Sequence, residues 1–123
     1  MKPVKNPQYL DWLSRWPCYI CLTRWCEQNH LAIAGVRPEA REVAATWSVR
    51  KCGRTECDHV GVRGLGHKCA DMEAIPLGAK HHQHAADSHH VLGKAFWSYH
   101  NLSRSEVFET LHALYRRETE EDV

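Results

Sequence analysis

Two short stretches, Cys57-Asp58-His59-Val60 and Ala74-Ile75-Pro76-Leu77-Gly78-Ala79-Lys80-His81-His82, decide how this chain is read. The first reads as a short strand, and Gly61, Gly64 and Gly66 make the next stretch a loop. Residues 74–77 form a short apolar run bounded by Gly78 and fit a second strand. Pro76 has no N–H to give a ladder, so that strand must lie at an edge or carry a bulge. Strand, loop and strand then lead into a histidine-rich segment. Adjacent residues of an extended strand leave opposite faces, so Asp58 and His59 cannot serve one purpose. Asp58 is the candidate cation ligand and His59 the candidate general base, because a metal-bound imidazole is badly placed to take a proton from water. A strand-end histidine hydrogen-bonded only for stability is the alternative.

Towards the N-terminus, Tyr9, Leu10, Trp12, Leu13 and Trp16 recur at three- and four-residue intervals, which predicts a helix over 6–16 that Pro17 stops. Cys18-Tyr19-Ile20-Cys21 comes next in a turn context, the setting of a metal knuckle. Two thiols at that spacing also fit redox partners or small buried side chains. His81 falls where a second knuckle would place a ligand, so Cys18, Cys21 and His81 with one further thiol are candidate ligands of a tetrahedral structural zinc. Cys69 is the expected fourth ligand, with Cys26 and Cys52 in reserve. Residues 24–56 mix Gly35, Pro38 and Gly53 with a helical candidate over 39–47 and are read as an insertion. Towards the C-terminus, Leu92, Ala95, Phe96 and Tyr99 predict a helix, and Ser103-Arg104-Ser105-Glu106 is a capping-box pattern opening a last one. That helix sets Val107, Leu111, Leu114 and Tyr115 on one face. Trp12, Trp16 and Trp97, at helical positions, are read as core rather than as base-stacking platforms.

A chain of 123 residues holds a single domain, and 43% hydrophobic with 25% charged residues excludes a disordered or collagen-like one. The 6 cysteines and 10 histidines point to transition-metal chemistry. No apolar stretch approaches the roughly 20 residues that span a bilayer, so no membrane role is expected. Met1-Lys2-Pro3-Val4-Lys5-Asn6-Pro7 has no apolar run behind its lysines, so no secretory leader is read and a cytoplasmic location with reduced thiols is expected. The net charge of +1 hides an acidic tail over 118–123; without Glu118, Glu120, Glu121 and Asp122 the body carries 16 cations against 11 acids, which draws it towards polyanions.

Taken in order, Cys18-x-x-Cys21, Asp58-His59-Val60-Gly61, Gly64-Leu65-Gly66-His67-Lys68, Asp71, Ile75-Pro76-Leu77 and His81-His82 resemble the HNH nucleases of the ββα-metal superfamily. The nearest branch is the phage-associated Ref-like group (recombination enhancement function). The likeness runs roughly from residue 9 to residue 99, the insertion aside. It implies a small α+β domain, a ββα-metal module flanked by N- and C-terminal helices with a candidate zinc knuckle, that cleaves DNA phosphodiesters. His59 is then the general base, and Asp71 stands where the family has an asparagine that braces the loop and holds the base. A divalent ion (Mg, Mn, Ni or Zn) on Asp58 and helix histidines would assist the phosphate and the departing 3′ oxygen. Arg63 and Lys68, on the loop beside that site, are candidate phosphate contacts. The likeness also implies a bacterial or phage source and a recombinase filament as partner; the oligomeric state is open.

Two departures matter. Relatives carry a cysteine where Gly78 stands, so either another thiol completes the knuckle or the zinc is absent. Relatives also carry H-x-x-x-H, but four residues after His82 stands Ala86. On one straight helix His82 and His90 would lie about 12 Å apart, too far to share an ion, so the helix must break. Asp87 and Ser88 are good N-cap residues and restart it, which folds His90 back towards His82 and makes His82 and His90 the expected partners of Asp58, with His89 the other choice for the last place. Neighbours on a helix point about 100° apart, so His81 is expected at the zinc and His82 at the catalytic ion. Two rival readings are a non-catalytic zinc module that binds nucleic acid or protein, and a histidine-rich metal-handling protein that stores ions over 81–90.

Overall fold

The computed structural model describes residues 5–60 and 70–120. Helix α1, Pro7–Ser14, starts where Pro7 can start it: the proline needs no N–H partner, and Asn6 Oδ1 accepts from the Tyr9 N–H at 3.1 Å. Its buried face carries Tyr9 and Leu13. Helix α2, Tyr19–Gln28, begins immediately after Pro17 and Cys18, so the Cys18-x-x-Cys21 motif opens a helix rather than sitting in a turn. This corrects the sequence reading, and the reason is burial. Tyr19, Ile20, Cys21, Leu22 and Cys26 all enter the core, which a free turn cannot arrange.

Helix α3, Pro38–Cys52, is longer than the candidate over 39–47, and the stretch read as an insertion therefore builds part of the framework. Gly53, at φ +92°, ends it with a backbone that other residues rarely adopt and turns the chain into β1, Thr55–His59. Strand β2, Ala74–Gly78, pairs antiparallel with β1, Asp58 opposite Ile75 and Cys57 opposite Pro76. Among the described residues the sheet has two strands, so both are edges there, which suits the proline of β2. All five residues of β2 are buried between α1, α2, α3 and α6.

After β2 the chain makes one wide turn of π-helix, Lys80–His84, breaks, and resumes as α4, His89–Leu92, and α5, Ala95–Tyr99. Helix α6, Arg104–Glu120, closes the fold with Val107, Leu111 and Leu114 in the core. Glu118, read as the start of an acidic tail, lies within α6 and bonds the buried Arg41 of α3 through both oxygens, Oε2 at 2.8 Å. The Arg41 guanidinium stacks 4.4 Å above the Trp16 ring, and Trp12 Nε1 donates to Glu118 Oε1 at 3.1 Å. The architecture is thus mixed, mostly helix with one small antiparallel sheet. Among the described residues no helix is long and apolar enough to cross a membrane.

Candidate metal centre and the clusters beside it

Four side chains from four places in the fold meet at one buried point: Cys18 before α2, Cys21 within it, Cys52 at the end of α3 and His81 on the π turn. Their ligand atoms all lie within 4.8 Å of one another. His81 Nδ1 is 3.4 Å from Cys18 Sγ, 3.8 Å from Cys21 Sγ and 3.1 Å from Cys52 Sγ. Zinc bonds of ordinary length at a tetrahedral angle put sulfur and nitrogen about 3.6 Å apart. A Cys3His set of this geometry could hold a metal ion such as zinc. The five described cysteines are all free thiols, as such a centre requires.

Local structure explains how each ligand arrives. The buried Cys18 N–H donates to Ser48 Oγ at 3.0 Å, which fastens the start of α2 to α3 one turn before Cys52. Gly78 makes room for Cys52: a Cβ at residue 78 would stand 2.4 Å from Cys52 Sγ. The cysteine expected at 78 is therefore replaced in space by the thiol of residue 52. Cys69, the expected fourth ligand, lies outside the described residues, as do Arg63 and Lys68; the fourth place in this cluster is filled by Cys52.

Proximity sets the protons. Burial pushes the Cys18 thiol well above its ordinary range, and hydrogen bonds with Cys21 and Cys52 push it further. Cys52 is driven down, because Cys18 and Cys21 donate to its sulfur and His81 adds a third bond. Burial works to lower the His81 pKa, but hydrogen bonds to Cys21 and Cys52 outweigh it and raise it to about 9. Binding a cation at this cluster would displace protons from its thiols and imidazole.

A second cluster begins one residue further along. His82 lies between two carboxylates, its Nδ1 2.7 Å from Glu56 Oε1 and its Nε2 3.4 Å from Asp58 Oδ1. The other oxygen of the buried Asp58 takes His89 Nδ1 at 2.6 Å. The expected break after His82 is present, and Ser88 caps α4, its Oγ accepting from the Val91 N–H at 3.2 Å. The restart brings His89, not His90, onto Asp58. His90 instead meets the His82 ring edge-on, centroids 5.7 Å apart. The correction comes from the cap: Ser88 sets the phase of a four-residue helix, and that phase aims the first imidazole at β1.

The opposite face of β1 carries a third arrangement. His59 Nε2 lies 2.9 Å from Asp71 Oδ1, and Asp71 Oδ2 accepts from the Asn6 N–H at 2.7 Å. The His59 bond, with the Asn6 bond second, holds the Asp71 carboxyl below its ordinary value. His59 Nε2 is directed at Asp71, and 30% of its side chain is exposed. Asp58 and His59 thus serve separate clusters, and so do His81 and His82.

Sequence reasoning missed Glu56 and the second duty of Asp87, and it ranked His89 behind His90 and Cys52 behind Cys69. Glu56 had a signal, since residues 56 and 58 of one strand share a face. Asp87 stands out in the sequence only for its capping chemistry, yet its Oδ2 lies 3.4 Å from His81 Nε2. Compared with protein-family models, with characterised proteins and with solved structures, the chain shows no match.

Proposed function

We propose that the chain is a metal-dependent endonuclease of the HNH kind that hydrolyses DNA phosphodiester bonds. The observation that carries this reading is the division of labour on β1: Asp58 and His59, adjacent in sequence, face two different polar clusters, one suited to a cation and one to a base. His59 takes a proton from the attacking water. Asp71 holds the ring and stabilises the imidazolium that forms, a role equivalent to the bracing residue of the HNH pattern. Asp58, with His82 and His89, would hold a divalent ion that supplies Lewis-acid stabilisation of the phosphate and assistance to the leaving oxygen. Two imidazoles and one carboxylate favour Zn, Ni or Mn over Mg as that ion. The Cys3His centre would carry a structural zinc that seats the π turn under β1.

The test is nicking of plasmid DNA by the purified chain with each of these cations in turn. His59→Ala is expected to lower the rate at least about 100-fold. Activity that survives the substitution in nuclease-free preparations ends the proposal.

A second reading is favoured by one observation: among the described residues the Cys3His cluster is the one group of three or more candidate ligands gathered this closely. A zinc-stabilised module that binds DNA without cutting it would need nothing more. It predicts salt-sensitive DNA binding and no nicking with any cation. The ion-store reading draws less support, since His81 turns to the thiols while His82 and His89 turn to Asp58.

A further inference from the structure

Asp87 lies in the break between the π turn and α4, and side chains converge on it from three directions. Its Oδ2 is 3.4 Å from His81 Nε2 and 3.5 Å from the Arg24 guanidinium. Its carbonyl oxygen accepts from His100 Nε2 at 2.8 Å, and the His100 ring stands edge-on to the His81 ring, centroids 5.7 Å apart. His81 is the nitrogen donor of the Cys3His cluster, and the ring atom it turns away from the thiols is the one that faces Asp87. A ligating imidazole needs its far N–H held so that the near nitrogen keeps its lone pair and its direction; a carboxylate does both. One residue on, the buried Ser88 caps α4, and the next residue, His89, makes the 2.6 Å bond to Asp58.

We propose that Asp87 is the positioning residue of the metal centre. Through it, an ion bound by Cys18, Cys21, Cys52 and His81 fixes the start of α4 and with it the contact between His89 and Asp58. The inference rests on the cluster's binding an ion and is independent of whether the chain cuts DNA. The competing account is that Asp87 serves only Arg24. That pair is solvent-exposed, its side chains 50% and 22% accessible, and pairs of this kind contribute little.

The experiment measures zinc affinity of the full chain under reducing conditions, by competition with a chromophoric chelator, for the parent, Asp87→Ala, Asp87→Asn and Arg24→Gln. Asp87→Ala is expected to bind zinc about 10- to 100-fold more weakly. Asp87→Asn is expected to fall between it and the parent, because the amide oxygen still accepts from the His81 N–H. Arg24→Gln is expected to stay within about twofold of the parent. At saturating zinc, hydrogen exchange over residues 88–92 should be faster in Asp87→Ala than in the parent. Parental zinc affinity in Asp87→Ala, or an equal loss in Arg24→Gln, overturns the positioning role; unchanged exchange over 88–92 overturns the tether to α4. If Asp87→Ala does not fold, Asp87→Ser keeps the turn chemistry without reaching His81, and the same outcomes decide.

Discussion

At Gly78 there is no room for a side chain. A Cβ there would meet Cys52 Sγ at 2.4 Å, Cys52 Cβ at 2.8 Å and the Cys52 carbonyl at 3.1 Å, so something must shift. Gly78→Ala is expected to cost about 1–3 kcal/mol, the usual range for overpacking, and to weaken zinc binding by displacing one ligand. Thermal melts with and without zinc check this, and a variant as stable and as tight as the parent refutes the packing argument. Asp71 gives a second expectation, this one in pH. Its folded pKa lies below the ordinary 3.8, so its contribution to stability is present above 3.8 and lost as pH falls through the lower folded value. Asp71→Asn should therefore cost about 1 kcal/mol at pH 7, because the His59 and Asn6 hydrogen bonds lose their charged acceptor. The gap between parent and variant should begin to narrow in urea melts below pH 3.8 and vanish only below the lower folded value. A gap that persists unchanged in acid shows that the carboxylate's charge is not what matters. Both residues stand out in the sequence only against the HNH resemblance, which would put a ligand at Gly78 and an amide at Asp71. Only contact distances say what each one does.

Helix α3 shows why an element can be hidden. Its buried residues are Arg41, Ala44, Ser48 and Cys52, spaced three and four apart as a helix requires, yet they are one cation, one hydroxyl and two small side chains. A hydropathy pattern cannot display that stripe, and the segment reads as an insertion. The buried face works through specific bonds instead: Arg41 to Glu118, Ser48 to the Cys18 N–H, Cys52 to the cluster. Ser48→Ala leaves a buried N–H without its acceptor and should cost about 1–3 kcal/mol, measurable as a lower denaturant midpoint at unchanged slope. A cost below about 0.5 kcal/mol would show that water or a backbone shift takes over the bond. By contrast α1, β1, β2, the break before Ser88 and the start of α6 are legible, because each depends on residues within one turn or one strand.

At the scale of the molecule, the candidate metal centre lies where α2, α3 and the π turn meet. Cys18, Cys21, Cys52 and His81 come from segments 63 residues apart at the extremes, so a bound ion closes long loops that the small sheet alone closes weakly. Stripping the ion with a chelator under reducing conditions should remove about 4 kcal/mol if free zinc had stood about a thousandfold above its dissociation constant. For a chain of this size that is a fall of about 15 °C in the thermal midpoint. An unchanged midpoint in the metal-stripped protein would mean that the cluster is packing, not a metal centre.

Read as residues alone, the chain already declares its two strands, the opposed faces of Asp58 and His59, and the divergence of His81 and His82. These come from backbone periodicities of about two and 3.6 residues, which act over a few positions and need no partner. Which thiol completes the Cys3His set, which of His89 and His90 reaches Asp58, and which carboxylates hold His81 and His82 are decided by where the end of α3, strand β1 and the start of α4 are placed in the fold. Those choices rest on where a rigid element ends in space, and a shift of one residue in a helix turns its side chains by about 100°.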